Sequence, residues 1–312
     1  MSSYIIDCDP GHDDAVALLF AAKSLSLHGI TTVFGNSNVT NTTRNALALL
    51  NTAGLKIPVA RGARQPLKGS IRSAEHIHGK SGLDGADLKD GKIKPEKKEA
   101  HDFLIEAADD VQDLVIIAIG PLTNVAMAIE KEPKIMSYIK EISIMGGSTS
   151  FGNVSATAEF NIFADPEAAQ IVFSSGIPLR MAGLNVTSTF GISAQQVATL
   201  SKSSGFLPRQ IGLALNYYLT QQSKIYNRSY APLHDICAVI PYTHKELIQY
   251  QFMHVDVECE GQLTRGQTVC DQRNLFKQVS SKSQQKPNCD VAIASKGEAI
   301  IDLVLQSLLD FH

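Results

Sequence analysis

The chain has 312 residues, enough for one large α/β domain or two small ones. With 44% hydrophobic and 19% charged residues it has the composition of an ordinary soluble globular protein, with material for a sizeable core. A net charge of −3 and a pI near 6.3 argue against nucleic acid or an anionic membrane surface as partner, and no apolar run reaches the ~18–20 residues of a membrane span.

In chain order, Tyr4-Ile5-Ile6 reads as a short buried strand and Ala15 to Ala22 as a helix lying against a sheet, with Pro10 and Gly11 turning between them. The first strand begins at residue 4, which leaves no room ahead of it for a signal peptide. Residues 29–34 form a second strand ending at Gly35-Asn36, residues 41–54 an amphipathic helix, and residues 57–60 a short strand. Residues 61–95 are polar and glycine-rich, and a loop of that length in a compact domain is usually a lid or binding loop. A helix near 98–111 leads to a buried strand, Leu114 to Ile119, and then to a helix from Leu122 to Ile129. Glu141 to Met145 is another buried strand, opening into a loop over 146–164. A helix at 165–174, a strand at 178–183 and a mostly helical stretch at 193–227 follow. A short apolar helix starts at His234-Asp235. The tail holds strand-like runs at Met253–Val257, Gln267–Val269 and Asp290–Ala294, with an exposed hairpin tip at 280–288, then a terminal helix.

Repeated βα units without a linker or an internal repeat predict one domain over residues 1–312, with the loop-rich insertion around 61–95. The expected fold is α/β: an open, mainly parallel central sheet with helices on both faces, Rossmann-like, and an active site at the carboxyl ends of the strands. Cys8, Cys237, Cys259, Cys270 and Cys289 are odd in number and lack CxxC spacing, so they read as reduced thiols and the chain as cytoplasmic. Cys8 has no basic neighbour in sequence that would activate it as a nucleophile.

The stretch that needs explaining is Asp7-Cys8-Asp9-Pro10-Gly11-His12-Asp13-Asp14. Two like charges about 4 Å apart repel by roughly 4 kcal/mol at an effective dielectric of ~20. A helix N-terminus returns only ~0.3–1 kcal/mol per charge. A raised carboxyl pKa or a hard cation with oxygen ligands must neutralise the cluster, and four aspartates at the end of a buried strand favour the cation over a solvated cap. An EF-hand is excluded because its twelfth position, counted from Asp7, is Leu18 rather than Glu. Phosphatases of the haloacid dehalogenase type would need Thr where Gly11 stands.

The pattern Asp7-x-Asp9-Pro10-Gly11-x-Asp13-Asp14-Ala15 resembles the N-terminal signature of the nucleoside hydrolases, the inosine–uridine preferring N-ribohydrolases. The resemblance continues through Gly35-Asn36, Gly120-Pro121-Leu122-Thr123-Asn124, Met145-Gly146-Gly147, Asn153, Glu159-Phe160-Asn161, His234-Asp235 and Leu263-Thr264-Arg265-Gly266. It implies hydrolysis of the N-glycosidic bond of ribonucleosides to free base and ribose. It further implies one Ca²⁺ per site, held by Asp9, Asp14, Asp235 and the backbone carbonyl of Ile119, with Asp9 as general base toward water. Asp13, Asn36, Asn153, Glu159 and Asn161 match positions that hold ribose hydroxyls, and Met145 one that lies against the sugar. His234 is the expected acid for the departing base, since an unperturbed imidazole holds a proton near neutrality. His78, Gln222 and Tyr226 are the expected base contacts, with Tyr230 as an alternative to Tyr226. The chain has no Trp, which places it in the pyrimidine-leaning or base-nonspecific branch. The resemblance also implies a homodimer or homotetramer. The competing readings are a non-catalytic ribonucleoside- or Ca²⁺-binding protein and a divalent-metal phosphatase.

Overall fold

A computed structural model of the chain describes residues 2–88, 90–273 and 285–311. The strands are β1 (Tyr4–Cys8), β2 (Leu27–Thr32), β3 (Val59–Arg61), β4 (Leu114–Ala118), β5 (Ile139–Met145), β6 (Leu179–Ala182), β7 (Ile192–Ser193), β8 (Tyr230–Ala231), β9 (Ile248–Met253), β10 (Val255–Val257), β11 (Thr268–Cys270) and β12 (Cys289–Ser295). Eight of them make one sheet in the order β3-β2-β1-β4-β5-β6-β12-β9. Every pairing in it is parallel except β12 with the edge strand β9. The mainly parallel α/β sheet expected from the sequence is therefore present.

The helices are α1 (His12–Ser24), α2 (Val39–Thr52), α3 (Glu75–His78), α4 (Ala100–Asp110), α5 (Thr123–Lys131), α6 (Phe160–Ala164), α7 (Pro166–Phe173), α8 (Leu184–Thr187), α9 (Ala194–Ser201), α10 (Phe206–Tyr226), α11 (Ile236–Val239) and α12 (Gly297–Leu309). They cover both faces, and the alternation of side chains along β1 sorts the two cores. Ile6 and Cys8 join the side built from α1, α2, α10, α11 and α12. Ile5 joins the side built from α4, α5 and α7. Strand order reverses between β1 and β4, and such a reversal opens a crevice beyond the strands' carboxyl ends.

Several sequence-based boundaries shift. The second strand is Leu27–Thr32 rather than 29–34, because the chain leaves the sheet at Val33 and Phe34 to make a small buried cluster with Ala164. The run expected at Met253–Val257 is divided: Ile248–Met253 pairs with β12, and Val255–Val257 pairs antiparallel with β11. Exposed Gln249 and half-buried Tyr250 and Gln251 blur the apolar pattern that marks a strand. Most of the hairpin tip expected at 280–288 lies outside the described residues. Among the described residues no helix is long and apolar enough to cross a membrane, and all five cysteines are free.

Candidate active site

β1 ends at Cys8 and α1 starts at His12, with Gly11 as N-cap. The turn between them is closed by Asp14, whose carboxylate accepts from the backbone N–H of Asp9 (3.1 Å) and of Gly11 (3.0 Å). An acid in the first turn satisfies donors that the helix itself leaves unpaired. The Asn36 side chain adds a third donor to Asp14 at 2.8 Å.

Asp9 sits just past the strand end, buried. One of its oxygens accepts from Asn36 N–H at 2.7 Å, while Oδ1 has no partner among the described residues. The chain comes so close here that glycine is required on both sides. A Cβ on Gly35 would lie 2.0 Å from Asp9 Oδ2, and one on Gly120 would lie 2.7 Å from Oδ1. Asp7 belongs to a separate group. It accepts from the Thr31 hydroxyl (2.6 Å) and the Asn124 amide (2.7 Å), which ties β1 to β2 and α5.

Asp13, Asp14 and Asp235 bring carboxylate oxygens within 4.8 Å of one another, and Asp14 is in hydrogen-bonding reach of both Asp9 and Asp235. The four predicted acids therefore meet, although the tightest trio contains Asp13 rather than Asp9. Burial raises all four carboxyls. Neighbouring carboxylates push Asp9, Asp13 and Asp235 further, and Asp13 reaches about 8. A donor set made only of carboxylate and carbonyl oxygen, with an unpartnered Oδ1 on Asp9, suits a hard divalent cation, and no His or Cys joins the trio as Zn²⁺ would require. The Ile119 carbonyl faces the same region. It accepts from Asn161 Nδ2 at 3.0 Å and keeps its second lone pair.

Above these acids lies a cavity of about 540 Å³, within the range of small-molecule sites. Asp13, Asn36, His78, Ile119, Met145, Asn153, Glu159, Asn161, Gln222, Tyr226, His234 and Asp235 all line it, with Asp9 and Asp14 in the floor beneath. Glu159 caps α6, accepting from the N–H groups of Asn161 (2.9 Å), Gly147 (3.0 Å) and Ile162 (3.2 Å). Burial still pushes its carboxyl up to about 7. Asn161 ties two strand ends together by donating to the carbonyls of Ile119 and Met145, both at 3.0 Å. Tyr226 lines the cavity. Tyr230 does not, because its hydroxyl donates to the Ser188 carbonyl at 2.7 Å.

Burial, helped by Arg228, pushes the pKa of His234 down to about 3, below the free-imidazole value that the sequence reading started from. Its Nδ1 meets the Thr187 hydroxyl at 2.8 Å. His78 is likewise held down, by burial and by His12 and His234. The structure also adds residues that the sequence did not single out. His12, His78 and Tyr218 pack against one another with ring centres 5.2–5.4 Å apart, and His12 reaches His78 Nδ1 at 3.0 Å. Arg228, Tyr218 and Arg72 line the cavity. His12 lay in plain view inside the aspartate motif, whereas Thr187 and Arg228 carry no local signal. Cys8 is buried, and its thiol is pushed well up by burial and the surrounding acids, which makes it inert.

Comparison with known proteins decides the family. The sequence profile of the "inosine-uridine preferring nucleoside hydrolase" family matches residues 4–302. The chain belongs to this nucleoside hydrolase family. It is 36% identical over 312 residues to a pyrimidine-specific ribonucleoside hydrolase, RihA, of Enterobacter sp. (strain 638), covering 98% of this chain and 97% of that one. It is 37% identical over 277 residues to the pyrimidine-specific RihB of Shigella sonnei, covering 87% and 88%. Among solved structures, a plant nucleoside hydrolase (PpNRh1) superposes with a TM-score of 0.91 at 32% identity, covering 99% of each chain. A purine-preferring ribonucleoside hydrolase from Gardnerella vaginalis gives 0.90 at 29%, covering 99% and 98%. The chain is thus a ribonucleoside hydrolase, and its large cavity has an acidic floor at the strand reversal.

Proposed function

We propose that this nucleoside hydrolase is Ca²⁺-dependent and that Asp9 and His234 divide the work of cleaving the bond between ribose and base. The observation that carries this reading is the unpartnered Oδ1 of Asp9, buried beside the Asp13, Asp14 and Asp235 trio in the floor of the cavity. Asp9, Asp14, Asp235 and the Ile119 carbonyl would hold the cation, with Asp13 near enough to share it. When bound, the ion neutralises the carboxylates and polarises water. Asp9 accepts the proton of the water that attacks the anomeric carbon, and an ionised Asp9 is what the neighbouring positive charge maintains.

Asp13, Asn36, Asn153, Glu159 and Asn161 hold the ribose, with Met145 against its face. Oxygens fixed around the ring stabilise the positive charge of an oxocarbenium-like transition state. His78, Gln222 and Tyr226 meet the base. The names of the curated relatives and the lack of Trp support a pyrimidine preference. Strands drawn from residue 4 through residue 295 into one sheet support a single catalytic domain in which 61–95 forms one wall. Five free thiols support a cytoplasmic home, and we infer a homodimer or homotetramer from the family resemblance.

The test is incubation with uridine, cytidine, inosine and adenosine, assaying reducing sugar with and without a chelator. Ribose release from uridine and cytidine first, abolished by chelation and restored by calcium, is expected. Release that survives chelation, or that survives Asp9→Asn, overturns the proposed roles.

A further inference from the structure

We propose that Thr187 is a positioning residue that keeps Nδ1 of His234 as an acceptor and so turns an Nε2–H donor toward the departing base. The inference deepens the ribohydrolase reading and rests on it. Thr187 ends α8 and is fully buried. Among the described residues its hydroxyl has one partner, His234 Nδ1 at 2.8 Å.

A hydroxyl carries one proton and two lone pairs. If Nδ1 bore a proton, the hydroxyl would have to accept it. Its own O–H would then be buried with no acceptor, a costly arrangement. If Nδ1 is bare, the hydroxyl donates and every proton is satisfied. The same bookkeeping disfavours a doubly protonated ring. The proton therefore resides on Nε2. That atom has no protein partner among the described residues and belongs to a half-buried ring lining the cavity.

The two-residue segment Leu233-His234 makes this rigid. Leu233, fully buried, anchors the chain immediately before the ring. As the bond from ribose to base breaks, its electron pair moves onto the base, and Nε2–H stabilises the charge growing on the base's carbonyl oxygen or ring nitrogen. The water proton passes to Asp9, and the freed base takes its proton from solvent. A neutral imidazole can serve as such a donor.

The experiment uses the calcium-loaded enzyme with uridine, inosine and 4-nitrophenyl β-D-ribofuranoside, whose phenolate leaves without help. Thr187→Val is expected to lower kcat on the two nucleosides about 10–100-fold, with KM within threefold. Its kcat on the nitrophenyl riboside should stay within about twofold, and Thr187→Ser should restore nucleoside turnover. Equal losses on all three probes, or no loss on any, overturn the proposal. Should the Val variant fail to fold, long-range ¹⁵N–¹H spectra of the wild-type ring decide it, and a proton on Nδ1 overturns the assignment. A wild-type enzyme inactive on all three ribosides would fail the hydrolase reading instead, with the ring spectrum still deciding the tautomer.

Discussion

The floor and the base end of the cleft are built in opposite ways. Three acids of the floor come from one continuous turn, Asp9 to Asp14, and its geometry is set by backbone N–H groups that any sequence folding this way would supply. The base end is gathered from α3, α8, α10 and the segment before α11, and its parts range from the buried His78 to Tyr226, which is 40% exposed. A rigid charged floor suits the part of the substrate that never changes, the ribose. A loosely gathered rim suits the part that differs between substrates.

Substitutions can break this comparison at either end. The largest effect is expected at the floor: Asp9→Asn should lower kcat about 1,000-fold on every nucleoside alike, measured as reducing sugar. A loss that differs strongly between uridine and inosine would place Asp9 at the base end instead. His234→Ala should cost about 100-fold in kcat on nucleosides and only a few-fold on the nitrophenyl riboside, because only the first group needs a donor at the leaving base. Uniform losses would return His234 to a structural role. Asn36→Ala removes a donor to Asp14 and should weaken calcium binding about 10–100-fold by titration calorimetry without substrate. Tyr226→Ala should raise KM for uridine about three- to tenfold while kcat stays within about twofold, the mark of a contact made equally in ground and transition states.

The same division governs what could be read from the sequence. The floor was legible because three of its acids lie in one turn and the polar motifs fall at strand ends or helix starts. Asp9, Asn36 and Ile119 were placed at strand ends, and Asn161 in the loop after a strand, before any contact was known, and all four come together. Its details were less legible. The tightest trio holds Asp13 because α1 begins at His12 and turns that side chain toward Asp235. Thr187 and Arg228 could not be read at all. Neither sits in a motif: Thr187 acquires its meaning only when the His234 ring arrives from a distant segment, and Arg228 only when the chain beyond α10 brings it to the Gln222 side chain. The lowered pKa of His234 is out of reach of the sequence for a related reason: an imidazole in a sequence has its free-solution pKa, and only packing reveals the burial that lowers it.

The smallest predicted effect sharpens the comparison through pH. Glu159 in the wall and Asp13 in the floor both bind protons more tightly folded than unfolded, at about 7 and about 8 against 4.5 and 3.8. For a group raised in this way the folded state carries the extra proton. The stabilisation is therefore complete below pH ~4 and is lost as pH climbs through the folded value. Calcium-free protein should accordingly lose melting temperature between about pH 5 and 8. Glu159→Gln lowers stability at every pH, since an amide cannot accept from all three N–H groups that the carboxylate satisfies, so the informative quantity is the slope. It should flatten in the calcium-free variant and flatten further when calcium is added, because the cation holds the floor acids ionised and removes their proton uptake. A slope unchanged by Glu159→Gln would mean that the wall carboxyl is ionised throughout and that the pH sensitivity resides in the floor alone.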